Sequence, residues 1–248
     1  YDPELFCASG LPGSPSADPL RFISLHSYLY LVELVSDREG PDFCCRAATP
    51  ETLMMTGASG NAVRASRTVR EALLNVAHVF HLTASQVFFL VKHVPGGLEI
   101  TEAFLARSSQ TALHAAHQQI AGMVSALGRI IDGQPLPARI RLSPHPKFGV
   151  EHLKRHLGPD VEACKERHLK IFVADAVLDR RLPWEPVQFA AFGKNLTAPA
   201  CSTMSASARI LIEGMIRDGN PSLDALARAA NLSRRTMQRL LAAEGASY

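Results

Sequence analysis

The stretch Ser233-Arg234-Arg235-Thr236-Met237-Gln238-Arg239-Leu240-Leu241, close to the C-terminus, carries the clearest chemistry in this chain. Read as a helix, it opens on Ser233, a good N-cap whose hydroxyl accepts from a free backbone N–H one turn on. Met237, Leu240 and Leu241 fall at i, i+3 and i+4 and make one apolar stripe. Arg234, Arg235, Gln238 and Arg239 are left on the other side. Arginine forks grip O6 and N7 of guanine, and a glutamine pairs with N6 and N7 of adenine. This face therefore suits the major groove of duplex DNA, with Ser233 also placed to reach a phosphate. Spacing alone leaves a second reading open, a solvated face on an ordinary helical hairpin.

A second group of side chains could orient a small polar ligand: Lys92, His93, Glu99, Arg139 and Arg141, on segments that read as strands. The expected lining is the concave face of a hairpin and a long helix over it. For each of these residues the reading as a solvated or cross-strand-paired side chain is the stronger one. The chain also holds ten histidines. His78/His81 and His114/His117 are i, i+3 pairs, and His152/His156 is an i, i+4 pair on one helix face. Cys164 and His168 are four apart. None reproduces a zinc signature of two Cys and two His, or His-Glu-x-x-His. No metal and no cofactor are expected, and a metal- or haem-binding sensor without independent DNA binding stands as the alternative. There is no Gly-x-Ser-x-Gly elbow, no P-loop, and no Gly-x-Gly-x-x-Gly between a strand and a helix. The expectation is a protein that is not an enzyme.

The elements that must hold these residues follow from periodicity and breakers. Gly10, Pro12, Gly13, Pro15 and Pro19 make residues 1–19 an extended lead-in. A helix follows Asp18-Pro19, with Phe22, Leu25, Leu29, Val32 and Val35 inward and Gly40-Pro41 at its end. A short apolar piece covers Phe43 to Ala48, Thr49-Pro50-Glu51-Thr52 starts another helix, and Gly57 and Gly60 break the chain again. Arg67 to His81 is helical, with Val69, Ala72, Leu73, Val76, Val79 and Phe80 inward. Gln86 to Val91 and Leu98 to Glu102, joined by Pro95-Gly96-Gly97, form a β-hairpin. Ser108 to Asp132 is the longest helical pattern, stopped by Gly133, and it is the candidate dimerisation surface. Then come a strand at Ala138 to Leu142, a helix at Phe148 to Leu157, a brief segment at Val161 and a strand at Leu169 to Val173. This order predicts an α+β domain with a mostly antiparallel sheet. Residues 184–202 read as a linker. From Thr203 a helix with Ala206, Ile210, Leu211, Met215 and Ile216 packs on the pair Ser222 to Ala230 and Ser233 onward, an all-α helix-turn-helix unit in which Leu226, Met237 and Leu240 are expected in the core.

The chain has 248 residues, 47% hydrophobic and 20% charged, which is room for one large or two modest domains with a real core. A net charge of +3 is only mildly basic, so contact with nucleic acid would fall to a local patch. Five cysteines without regular spacing do not make a disulfide framework. No run reaches the length of a membrane span, and the start lacks the layout of a signal peptide. A cytoplasmic protein is expected.

The run Pro221-Ser222-Leu223-Asp224-Ala225-Leu226-Ala227-Arg228, continuing through Asn231-Leu232-Ser233-Arg234-Arg235-Thr236-Met237-Gln238-Arg239-Leu240-Leu241 to Gly245-Ala246-Ser247-Tyr248, resembles the first helix-turn-helix of AraC/XylS-type transcription regulators. Residues before it are similar to the sensor of the ornithine- and arginine-utilisation branch, often labelled arabinose-binding. That likeness rests on Pro41-Asp42-Phe43, Thr68-Val69-Arg70-Glu71-Ala72-Leu73, the hairpin at 86–104, Pro137 to Leu142, and Leu178 to Pro183. It implies an effector-sensing and dimerisation domain over 20–183 and the first half of the DNA-binding domain over 203–248. It further implies double-stranded operator DNA and a small-molecule effector as partners, a homodimer, and RNA polymerase if the regulator activates. The family carries two helix-turn-helix units joined by a long helix. The second is missing here, so this chain is not expected to hold an operator alone.

Overall fold

The computed structural model describes residues 3–11, 23–80, 87–104, 108–187, 204–217, 222–230 and 232–248. The breaker-rich positions 12–20, the Asp18-Pro19 start signal, Gln86 and linker positions 188–202 lie outside the described residues. The chain divides into two compact units, Ser36–Ala198 and Tyr1–Val35 together with Pro199–Tyr248.

In chain order the elements are α1 (Pro3–Ala8), α2 (Leu25–Glu39), α3 (Phe43–Ala47), α4 (Pro50–Met54), α5 (Gly57–Arg64), α6 (Val69–Val79), β1 (Val87–Val94), β2 (Gly97–Phe104) and α7 (Gln110–Asp132). Then follow β3 (Arg139–Leu142), a 3-10 turn at Glu151–Leu153 running into α8 (Lys154–Leu157), β4 (Val161–Ala163), β5 (His168–Ala174) and α9 (Asp175–Leu178). The remainder is α10 (Met204–Arg217), α11 (Leu223–Ala229) and α12 (Arg234–Ala243).

The larger unit is α+β. Its sheet has the order β1-β2-β5-β3-β4. It is antiparallel except that β4 lies parallel to β3. The expected hairpin forms, with longer strands than the pattern marked and Gly97 in the second strand; Lys92 lies opposite Glu99 and Val94 opposite Gly97. Side chains of one parity along β2, β3 and β5 (Leu98, Ile100, Ile140, Leu142, Leu169, Ile171 and Val173) are completely or almost completely buried. They pack with Val124 and Leu127 of α7 and Val69 and Leu73 of α6. Burial of each such side chain stabilises the fold by about 1.5–3 kcal/mol, so this face is where the unit is held together.

Local signals explain the helix ends. Thr68 caps α6 by accepting from the Glu71 amide, while the Glu71 carboxylate accepts from the Arg67 amide at 2.7 Å, a reciprocal arrangement close to a capping box. Ser109 caps α7 at one end, and Gly133, at φ 76°, closes the other.

Four expectations are corrected. Pro3–Ala8 is helical rather than extended, because Pro3 suits a first helical turn and the breakers begin only at Gly10. Gly57 and Gly60 lie inside α5, and a Cβ on Gly60 would stand 2.5 Å from the Met54 carbonyl oxygen. They serve a tight corner rather than a break. Phe148 is in a turn, not a helix, because the amides of Lys147 and Phe148 both donate to His145 Nδ1, at 3.1 and 3.3 Å. Finally, α7 is not a free dimerisation surface. Ala112 to Gln118, Ala121, Gly122 and Val124 to Gly128 are all buried, and the helix packs against α3, α4, α8, β3 and β5. Its alanines and glycines let neighbours approach on nearly every side.

In the smaller unit, α10, α11 and α12 pack around Ala208, Leu223, Leu226, Ala227, Met237 and Leu241. Leu226 and Met237 are core as expected, but Leu240 is only half-buried and Leu241 takes the inward position. The Glu244 carboxylate accepts from the amides of Met204 and Ser205 at 2.8 and 2.7 Å. It thereby satisfies free donors at the start of α10 and complements the helix dipole there.

Candidate functional site

Ser233 has extended backbone (φ −71°, ψ 153°), and its hydroxyl accepts from the Thr236 amide at 3.1 Å. That cap sets the direction of α12. Met237 and Leu241, one turn apart, are buried at 1% and 4% exposure. Ser233, Arg234, Arg235, Gln238 and Arg239 are therefore all exposed on the rest of the helix. Arg234 is partly engaged, with Nη1 3.4 Å from Asp224 Oδ2. Arg235 and Arg239 make no ion pair among the described residues. The result is a helix presenting two unneutralised guanidinium groups and an amide on one solvent face, backed by a packed hairpin.

The second expected group is split by the alternation of the strands. Lys92, Glu99, Arg139 and Arg141 share one sheet face, with the register aligning Lys92, Glu99, Phe172 and Arg139 across four strands. Lys92 Nζ lies 3.0 Å from Glu99 Oε1, the Arg139 guanidinium sits 4.5 Å from the Phe172 ring centroid, and Arg141 Nε is 3.8 Å from Glu162 Oε2. Lys92 holds the Glu99 carboxyl below its ordinary range by a hydrogen bond, against the opposing effect of burial. His93 belongs to the opposite parity, across from Leu98, so the structure does not bring it to the other four. The long helix lies over the Leu98–Ile100–Glu102 face. It does not line a common pocket with the charged residues, because residues of opposite parity on a strand point to opposite faces.

On the α7 side the structure assembles a polar centre that was not expected. Glu102, His114 and His117 are buried at 0%, 1% and 0% exposure. His117 Nε2 lies 3.5 Å from Glu102 Oε2, and its Nδ1 accepts from the Ser143 amide at 3.4 Å. His114 Nδ1 donates to the Ser143 carbonyl at 2.7 Å, and its Nε2 meets His152 Nε2 at 3.2 Å. His152 Nε2 is also 3.2 Å from the Pro41 carbonyl. One N–H on His152, shared between these two acceptors, accounts for both contacts. His145 crosses the His114 ring edge-on at 5.4 Å.

Burial pushes the Glu102 carboxyl up to about 8. Burial likewise pushes His117 down to about 3 and His114 down to about 4, assisted by neighbouring cations and imidazoles. His145 and His152 are lowered for the same first reason. The imidazoles are thus neutral near pH 7, which is the state that binds metals. Yet no group of three or more His, Cys, Asp or Glu among the described residues is arranged to hold a metal ion.

Sequence reasoning noticed His114 and His117 as a pair but missed Glu102. The signal was present: in Leu98-Glu99-Ile100-Thr101-Glu102, Glu102 shares the inward parity of Leu98 and Ile100.

Among the described residues, no helix is long and apolar enough to cross a membrane. The family model for the arabinose-binding domain of AraC transcription regulators, N-terminal, matches residues 2–182. No curated protein matches the chain significantly. Among solved structures, the transcriptional regulator CdpR from Pseudomonas aeruginosa aligns over 99% of this chain and 78% of that one, with 16% identity and a TM-score of 0.46.

Proposed function

The chain belongs to the family of AraC transcription regulators bearing the arabinose-binding type of N-terminal domain, and from this premise we propose that it is a sequence-specific DNA-binding regulator governed by a small-molecule effector. The observation that carries the DNA reading is the exposed face of α12, with Arg235, Gln238 and Arg239 in solvent over the buried Met237 and Leu241. A helix of this composition, entering the major groove, reads bases with its arginine forks and its amide and grips phosphate with whatever cations remain. Residues 203–248 are then the first helix-turn-helix of the DNA-binding domain, 20–183 the sensor, and 184–202 the linker. A homodimer, double-stranded operator DNA and, for an activator, RNA polymerase complete the proposed partners.

For the effector, the charged sheet face of Lys92, Glu99, Arg139 and Arg141 offers orienting groups, with the Arg139 guanidinium held in place over the Phe172 ring. The family label names arabinose, so sugars head the ligands to try.

The DNA reading is tested by selecting duplexes from a random pool with the chain at low salt, then measuring binding by fluorescence anisotropy. Low salt strengthens the phosphate contacts, which makes binding by a single helix-turn-helix measurable even though it would not hold an operator alone at higher salt. A shared motif, whose binding weakens uniformly or changes in sequence preference when Arg235, Gln238 or Arg239 is replaced by Ala, is the expected result. Selection of no motif, or binding unaffected by all three replacements, overturns it.

A further inference from the structure

Glu102 and His117 sit at 0% exposure in the contact between β2 and α7, and they are poorly served there. Neither Glu102 oxygen and not His117 Nε2 has a hydrogen-bond partner among the described residues. Across the ladders Glu102 faces Phe89 and Leu169, both apolar. The Phe104 ring lies 6.2 Å from the His117 ring. The other titratable or charged groups that act on His117 are His114, His168 and Arg167. Since His117 Nδ1 accepts from the Ser143 amide, the imidazole hydrogen is on Nε2, which lies 3.5 Å from Glu102 Oε2 without forming a hydrogen bond to it.

A fully enclosed spot of this kind admits one ligand without a cavity, the proton. We propose that Glu102 and His117 form a proton-operated latch: the protonated, neutral pair closes β2 onto α7, and loss of the proton to solvent leaves a bare carboxylate in an apolar contact and loosens the hairpin from the helix.

The sign of the effect follows from the two groups. Glu102 is held at about 8, above its ordinary 4.5, so its contribution to stability is full below pH 4.5 and is lost as pH rises toward 8. His117 is held at about 3, below its ordinary 6.5, so its contribution is full above pH 6.5 and is lost as pH falls toward 3. Between the two ordinary values the slopes oppose one another. Above 6.5 only Glu102 acts, and the latch weakens with alkalinity. The burial of a carboxyl with no donor to stabilise its anion is the physical cause.

The inference concerns the sensor and does not depend on DNA reading, so its test uses no DNA. Carbon-13 NMR of the unmodified chain, labelled at glutamate carboxyls, should show one carboxyl titrating near pH 8 that is missing in Glu102→Gln. Amide exchange of β2 and of the His114–Gln118 turn, corrected for intrinsic rates, should accelerate between about pH 6.5 and 9. In Glu102→Gln, which keeps the shape of the protonated acid, that acceleration should vanish, and the thermal midpoint should no longer fall over the same range. Titration of every carboxyl in the ordinary range overturns the latch. So does exchange that stays constant while Glu102 ionises, or a Glu102→Gln variant that keeps the alkaline fall. If that variant fails to fold, the titration and exchange of the unmodified chain decide.

Discussion

Gly128 of α7 lies so close to Leu136 that a Cβ on the glycine would stand 2.3 Å from the Leu136 amide nitrogen. The same amide donates to the Ser125 carbonyl at 3.1 Å, so the chain leaving α7 folds back directly onto the helix backbone. In an exposed helix, Gly→Ala stabilises by about 1 kcal/mol. Here the sign should reverse, because backbone and not a flexible side chain occupies the space. Gly128→Ala is expected to destabilise by about 1–3 kcal/mol, the usual cost of overpacking, as measured by urea denaturation.

Asp42 should behave as an anchor on the acid side. Its carboxylate, 7% exposed, meets His156 Nε2 at 2.9 Å, Arg46 Nε at 3.3 Å, and Arg155. Burial works against its ionisation, but the bonds from His156 and Arg155 and the charges of Arg155 and Arg46 prevail and hold it at about 2. Its contribution is therefore present above the ordinary value of 3.8 and is lost as pH falls toward 2. Asp42→Asn should cost about 1–3 kcal/mol near neutrality and lose most of that difference in acid. Equal penalties at about pH 7 and pH 2 would contradict the ion-pair account.

In α12, Arg235→Ala should weaken binding to a selected duplex by about 1–3 kcal/mol and relax preference at one base position if the guanidinium reads a base. A reduced salt slope with unchanged preference would instead assign it to phosphate. Leu226→Ala, at a fully buried position, should cost about 2–5 kcal/mol in the stability of the helical unit. It should abolish binding through unfolding, seen as lost helical circular dichroism, which Arg235→Ala should preserve.

The Lys92–Glu99 pair should matter little for stability. It is exposed, at 52% for the lysine side chain, and exposed pairs contribute about 0–1 kcal/mol. Lys92→Ala should therefore shift the thermal midpoint only slightly. A large loss would mean that this sheet face is packed against something in solution.

Much of the secondary structure was legible because it is written in local terms. The cap at Ser233, the glycine turn between β1 and β2 and the stop at Gly133 each act within a few residues of themselves. The alternation of Arg139-Ile140-Arg141-Leu142 likewise states which residues share a face. Legible too was the resemblance of both parts of the chain to one family, and the family model for the first part bears out the membership.

What periodicity could not settle is which surface a face meets. The apolar stripe of α7 looked like one side of an amphipathic helix, yet α3, α4, α8 and the sheet enclose it, because its small residues permit close approach all round. Lys92, Glu99, Arg139 and Arg141 could be grouped by type, but their separation from α7 depends on the pairing of β2 with β5 and of β5 with β3. Glu102 and His117 are fifteen residues apart in the chain, and only the folding of α7 over β2 makes them neighbours. Local chemistry determined the elements; long-range packing decided which of their polar side chains would be denied water, and therefore which could become a switch.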